Sequence, residues 1–281
     1  MTHEKITRIQ SLAASCGVPC DTVIYVPDFE APPTDDSLNR VWGPPVGVDR
    51  DTWPRFDGMR ELFEQSSMPE GWDGADTRME HVFTIDLRGL EGIGAPAEAR
   101  AMMLFLSNAS YNEAWESGTS QTEVVFLDEA AVARGLCREP LPPRDGANTE
   151  KRFTLVPIRV PAGVFAASAD DAALGELRKA IWQAPARLGG APIWLQGEEG
   201  GDDEWGGDDE GGDDEGGDDE GGDDEGGDDE GASAPIQAAP IPGRLAGGGF
   251  VMQFDEAFAD VNLGDCGVMY VMGYGAWFQC Y

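Results

Sequence analysis

Apolar residues recur at helical spacing at the start of the chain and at strand spacing through much of the rest. Ile6, Ile9, Leu12, Ala13 and Cys16 fall on one helical face and stop at Gly17, which predicts an amphipathic helix that docks on another part of the fold. "DTVIYVPDF" follows as a short strand rich in β-branched residues. In "MEHVFTIDL" the pattern alternates, with His81, Phe83, Ile85 and Leu87 on one face and Val82, Thr84 and Asp86 on the other. "ARAMMLFLSN" is continuously apolar, as a central strand buried on both faces would be. "QTEVVFLD" reads as a further strand and "EAAVARGL" as a helical turn ending at Gly135. "KRFTLVPIRVP" is a strand that Pro157, lacking an N–H, pushes toward an edge or a bulge.

The second half continues the alternation. The clearest helix lies in "VFAASADDAALGELRKAIWQAP", where Ser168 with Asp171 resembles a capping box. Leu174, Leu177 and Ile181 form its buried stripe, and Pro185 ends it. "APIWLQ", "GFVMQFDE", "GVMYVMG" and "AWFQCY" read as strands, with Phe250, Met252 and Phe254 on one face. The last of them ties the end of the sequence into a sheet. From Glu30 to Arg78 the chain is rich in Pro, Gly and Asp, and Trp42, Trp53 and Trp72 predict ordered loops there, with a short helix around "MRELFEQSS". "LPPRDGAN" reads as a loop.

Two stretches echo one another. Val41-Trp42-Gly43-Pro44-Pro45, "HVFTIDL" and "MMLFLSN" recur loosely as Leu188-Gly189-Gly190-Ala191-Pro192, "FVMQFDE" and "GVMYVMG". The spacings become comparable once the acidic block from Gly200 to Glu230 is set aside, which suggests a duplicated β-rich unit. The expected fold class is α+β, rich in antiparallel sheet, with a few packing helices. A single domain spans residues 1–281, with halves near 1–150 and 151–281 and a disordered acidic insertion at 198–234.

That insertion holds six copies of GGDDE. Glycine, carboxylates and a short period raise calcium binding, capture of a basic partner, or a simple tandem expansion. No apolar residue recurs to stack successive turns, and dense like charge extends a chain, which favours the expansion. The block also changes the reading of the charge. The formal net charge is −34, but the 18 carboxylates between Asp202 and Glu230 leave only −16 for the rest. The 19 Lys and Arg are scattered, which argues against nucleic-acid binding or an anionic membrane. No stretch reads as a signal peptide or membrane span, and five cysteines (Cys16, Cys20, Cys137, Cys266, Cys280) without a framework spacing suit a reducing cytoplasm. With only two histidines, a zinc site is not expected, nor is any other metal or cofactor.

"GGAPIWLQ", "FVMQFDE", "NLGDCGVMYVM" and "AWFQCY" together resemble the YwqG-like family, a bacterial family of unknown function. The likeness is strongest over Ala186 to Tyr281 and weaker over Val41 to Asp128, and the GGDDE block departs from it. The resemblance implies an α+β fold with antiparallel sheet, no established enzyme activity, and an immunity or interaction role.

Residues that could carry chemistry are few. Asp255, Glu256, Asp260 and Asp265 form a carboxylate group suited to acid–base work or to capping turns. Asp86 occupies the place of Asp255 in the other half. His81 is the histidine that a Ser-His-Asp or Cys-His system would have to use, and it reads more simply as a core residue. "GLEGIGAP" and "GGAP" lack the phosphate-loop Lys and the dinucleotide spacing. Trp194, Gln196, Gln253, Asp255, Asp265 and Trp277 are the candidate binding residues. The resulting expectation is a cytoplasmic protein-binding module, immunity-like, with a basic or toxin-like partner. The alternatives are an enzyme using Asp86, Asp255 or Asp265, and a scaffold that recruits a basic partner through the acidic block.

Overall fold

Twelve strands and four helices are found among the residues that the computed structural model describes: 2–56, 58, 76–107, 122–142, 149–166, 171–195, 242, 244–245, 248–261, 263, 267–273 and 275–279. The strands are β1 (Thr22–Asp28), β2 (Arg40–Val41), β3 (Glu80–Asp86), β4 (Ala101–Leu106), β5 (Thr122–Leu127), β6 (Lys151–Arg152), β7 (Thr154–Val160), β8 (Ala186–Leu188), β9 (Arg244–Leu245), β10 (Phe250–Asp255), β11 (Val268–Met272) and β12 (Gly275–Gln279). The helices are α1 (Thr2–Ser15), α2 (Glu129–Val132), α3 (Ala172–Trp182) and α4 (Glu256–Ala259). The fold is α+β and sheet-rich.

The strands form two antiparallel six-stranded sheets, in the orders β12-β11-β10-β8-β1-β7 and β6-β2-β3-β4-β5-β9. The sheets share a core. Phe83, Ile85, Met102, Leu104, Val124 and Phe126 from one meet Leu188, Met252, Phe254, Met269 and Val271 from the other, all essentially buried. Phe83, Phe254 and Phe258 pack ring against ring at 5.5–5.7 Å between centroids. Each such side chain removed from water stabilises the fold by about 2 kcal/mol. On the outer face of the first sheet, Ile6, Ile9 and Ala13 of α1 and Leu177, Ala180 and Ile181 of α3 cover Ile24, Val26, Ile158 and Val160. On the outer face of the second, Trp53, Val46 and Ala131 cover Met103, Phe105 and Val125. β4 is therefore central and buried on both faces, and β7, which carries Pro157, is an edge strand.

The two halves repeat one pairing pattern. In β3–β4 the pairing shifts between His81 and Phe83, and in β10–β11 it shifts between Phe250 and Met252. The bulged residues, Val82 and Val251, both lie four before the strand-end aspartates Asp86 and Asp255. Val41 pairs with Phe83 as Leu188 pairs with Met252, and the next residue, Trp42 or Gly189, donates its N–H to the carbonyl of the bulged valine. Two left-handed residues follow each short strand: Trp42 and Gly43 at φ 60° and 78°, Gly189 and Gly190 at 77° and 73°. Thus β2-β3-β4-β5 and β8-β10-β11-β12 are copies of one unit.

The bulge also corrects the strand faces. Val82 and Phe83 both enter the inter-sheet core, so His81 is turned to the opposite face, against Phe105. Val251 and Met252 do the same, and Phe250 lies on the outer face with Tyr270 and Trp194. A simple alternation puts His81 with Phe83 and Phe250 with Met252; the extra residue of a bulge breaks that alternation. The strand expected at "APIWLQ" lies earlier, at Ala186–Leu188, because the two left-handed glycines end it. Helix α3 is capped by Asp171, whose carboxylate accepts from the Leu174 N–H. Ser168, Trp72, the helix expected near "MRELFEQSS", most of "LPPRDGAN" and the GGDDE block lie outside the described residues.

Candidate functional site

The sites follow from the strand ends of the duplicated unit. Each strand-end aspartate closes a tight turn by accepting an N–H from two residues ahead: Asp86 from Arg88 (3.0 Å), Asp255 from Ala257 (2.9 Å). The two aspartates share this turn-closing bond, and their surroundings differ. Asp86 is neutralised. Arg88 reaches its Oδ2 at 3.0 Å, Arg100 Nη1 contacts its Oδ1, and Arg100 Nε lies 3.0 Å from Glu129. Asp255 has no such partner among the described residues. Burial pushes its carboxyl up to about 6, against the opposing pull of the Ala257 N–H and the more distant Lys5.

Asp255 opens on a cavity of about 620 Å³. Helix α1 supplies Lys5, the end of α3 supplies Trp182 and Gln183, α4 supplies Glu256 and Ala257, and Gly267 and Val268 form the far wall. Lys5 is tied down, its Nζ donating to the Gln183 carbonyl at 2.6 Å. The arrangement offers a carboxyl group that titrates near neutrality, a second carboxylate and an indole. It can exchange a proton or hold a cation.

His81, Gln253 and Trp194 make contacts that serve the fold. His81 is buried, with Nδ1 3.0 Å from the Gly43 carbonyl and Nε2 2.9 Å from the Thr84 hydroxyl. A carbonyl can only accept, so Nδ1 carries the proton and Nε2 accepts from Thr84; neither nitrogen is available to a substrate. Gln253 Oε1 accepts from Arg187 Nη2 (2.9 Å) and from the Ile193 N–H (3.1 Å). Trp194 packs on Tyr270 with centroids 4.6 Å apart, and Tyr270 donates its hydroxyl to the Ile193 carbonyl. Gln253, Trp194 and Tyr270 therefore pin the segment after β8 across the outer face of β10–β11. Trp277 stands opposite Tyr270 in β12. Asp265 and Gln196 lie outside the described residues.

Several residues escaped sequence reasoning. Arg187 is buried between the rings of Phe165 and Phe250, 5.0 and 5.1 Å from their centroids, and donates to the carbonyls of Gly189 and Ala191. Desolvation lowers its pKa. Extending the echo one residue upstream, to Arg40-Val41 and Arg187-Leu188, marks it. Lys5 and Trp182 carry no sequence signal because they reach the cavity from helices distant in the chain.

Among the described residues no group of three or more His, Cys, Asp or Glu could hold a metal ion, and no helix is long and apolar enough to cross a membrane. No known protein-family model matches the chain, and no curated protein matches it.

Proposed function

We propose that the chain is a protein-binding module of the cytoplasm that engages a basic partner, in the manner of an immunity protein toward a toxin. The observation that carries this reading is the contrast between the two strand-end aspartates. Asp86 is buried and paired with the chain's own Arg88 and Arg100, whereas Asp255 faces an open cavity beside Glu256 and Trp182. The net charge favours the same class of partner, since −16 remains without the acidic block. The resemblance of "GGAPIWLQ", "FVMQFDE" and "AWFQCY" to the YwqG-like family, itself of unknown function, implies an immunity or interaction role and points the same way.

A second reading, an enzyme, is favoured by one observation: a carboxyl group titrating at about 6 in a cavity suits general acid–base work. Affinity capture with the full chain, with residues 200–230 deleted and with Asp255→Asn separates the possibilities. The module reading expects one saturable basic partner, retained by the deletion; weaker capture by Asp255→Asn adds that the cavity makes the contact. Loss of the partner on deletion alone shifts the role to a scaffold working through the acidic block. Absence of any saturable partner, together with a substrate turnover abolished by Asp255→Asn, establishes the enzyme instead.

A further inference from the structure

The duplication specifies what the Asp255 cavity takes. Asp86 pairs across the ladder with Ala101, and Asp255 pairs with Val268, so Arg100 corresponds to Gly267. Counting forward from each aspartate, Arg88 corresponds to Ala257. The first half thus places two guanidinium groups on its aspartate, from Arg88 and Arg100. The second half has Ala257 and Gly267 at those positions, and both line the cavity in front of Asp255. The cavity sits where one copy of the unit keeps its arginines.

The chain also blocks its own supply at that point. A Cβ on Gly267 would lie 1.8 Å from the Leu263 carbonyl oxygen, so no side chain can grow from residue 267 without moving backbone. Among the described residues no guanidinium reaches Asp255. The walls suit one: two carboxylates can accept its planar fork, and an indole can stack on it.

We infer that the cavity between α1, α3 and α4 is a receptor for a guanidinium group, with Asp255 and Glu256 accepting its N–H bonds and Trp182 lying along its face. This rests on the module reading for its source: an arginine side chain of the partner, inserted where Arg88 and Arg100 sit in the other copy. Four groups decide the charge balance at different pH values. They are Asp255 and Glu256 on the α4 turn, Lys5 on α1, and the incoming cation; α3 presents Trp182 and Gln183, and β11 presents Val268, none of which titrates. A guanidinium favours ionised Asp255, so binding weakens as pH falls below about 6.

The test is a titration of the full chain, followed by NMR or calorimetry at fixed ionic strength, with methylguanidinium, methylammonium, free arginine and a short peptide carrying one arginine. Expected are saturable binding of methylguanidinium, at least several-fold weaker binding of methylammonium, and a loss of about tenfold or more in Asp255→Asn. Glu256→Gln, at an exposed position, gives a smaller loss and guards against misfolding of the first variant. The acidic block is common to all three proteins, so its diffuse attraction for cations cancels in the comparison. Tighter binding of the peptide than of free arginine assigns the source to a protein, and equal binding assigns it to a small guanidine. Equal affinity for methylguanidinium in wild type and both variants, or no preference over methylammonium, overturns the inference. That failure is distinct from failure of the module reading, because capture of a basic partner unaffected by Asp255→Asn leaves the module intact with its site elsewhere.

Discussion

Asp255 combines two demands that oppose one another. As the cap of α4 it needs an acceptor for the Ala257 N–H, which asparagine satisfies as well as aspartate. As a half-buried carboxyl its charge is penalised, and its pKa in the fold, about 6, lies above the roughly 3.9 of an unfolded aspartate. Between those two values the native state binds more protons than the unfolded state, so this residue's contribution is fully favourable at pH 4 and is lost as pH rises through 6. At pH 8 that difference corresponds to about 2 kcal/mol once solvent screening from the open cavity is allowed for. Asp255→Asn should match the wild type near pH 4 and exceed it by about 2 kcal/mol at pH 8. Urea unfolding across that range measures the difference, and urea is preferred because guanidinium would occupy the proposed site. A difference that stays flat with pH would mean that Asp255 titrates normally.

At the scale of elements, the duplicated unit is held by its bulge and by the left-handed pair that follows the short strand. Gly189 has φ 77°, and a Cβ there would come within 2.9 Å of the Val23 carbonyl oxygen in the neighbouring strand β1. Gly189→Ala should therefore cost about 2–3 kcal/mol of stability, combining about 1 kcal/mol of backbone strain with the displaced contact. Unchanged urea unfolding would show that the turn does not set the register. The other copy places Trp42 in the same backbone state. That residue is buried and donates its indole N–H to the Ala259 carbonyl at the end of α4, a bond between the two halves that helps offset the strain. Such details mark the limit of what can be read from the chain. The strands at Thr22, Glu80, Ala101, Thr122, Thr154, Phe250 and Val268 are legible because apolar and β-branched residues recur in them at strand spacing, and Pro157 announces an edge. The bulges are not, since a Val-Phe or Val-Met doublet reads the same with or without an extra residue. The cavity is even less legible. Its aspartate stood out, but its vacancy is defined by Ala257 and Gly267, small residues whose meaning comes only from pairing the two halves strand by strand.

On the scale of the whole molecule, the chain is anchored to one sheet before the acidic block and to the other after it. Before it, the Leu195 N–H is held by the Tyr270 hydroxyl and Gln279 Oε1 on the outer face of the first sheet. After it, Arg244 and Leu245 form β9 at the edge of the second sheet, paired with Leu127 and Phe126, and Arg244 forms an ion pair with Glu123. Both anchors lie outside residues 200–230, so deleting that stretch leaves in place the contacts that join the sheets among the described residues. Closure entropy then favours the shorter chain. Cutting a connection of roughly 46 residues to roughly 15 recovers about 1 kcal/mol at (3/2)RT ln n. The same deletion removes 18 carboxylates and takes the formal charge from −34 to −16, which relieves self-repulsion at low salt. The deletion protein is expected to melt at the same temperature or a few degrees higher. Its advantage should shrink partway as salt is raised, because screening removes the charge contribution and leaves the entropic one. Calorimetry at low and high salt measures both parts. A melting temperature several degrees below that of the full chain would show that the acidic block makes contacts on which the two sheets depend.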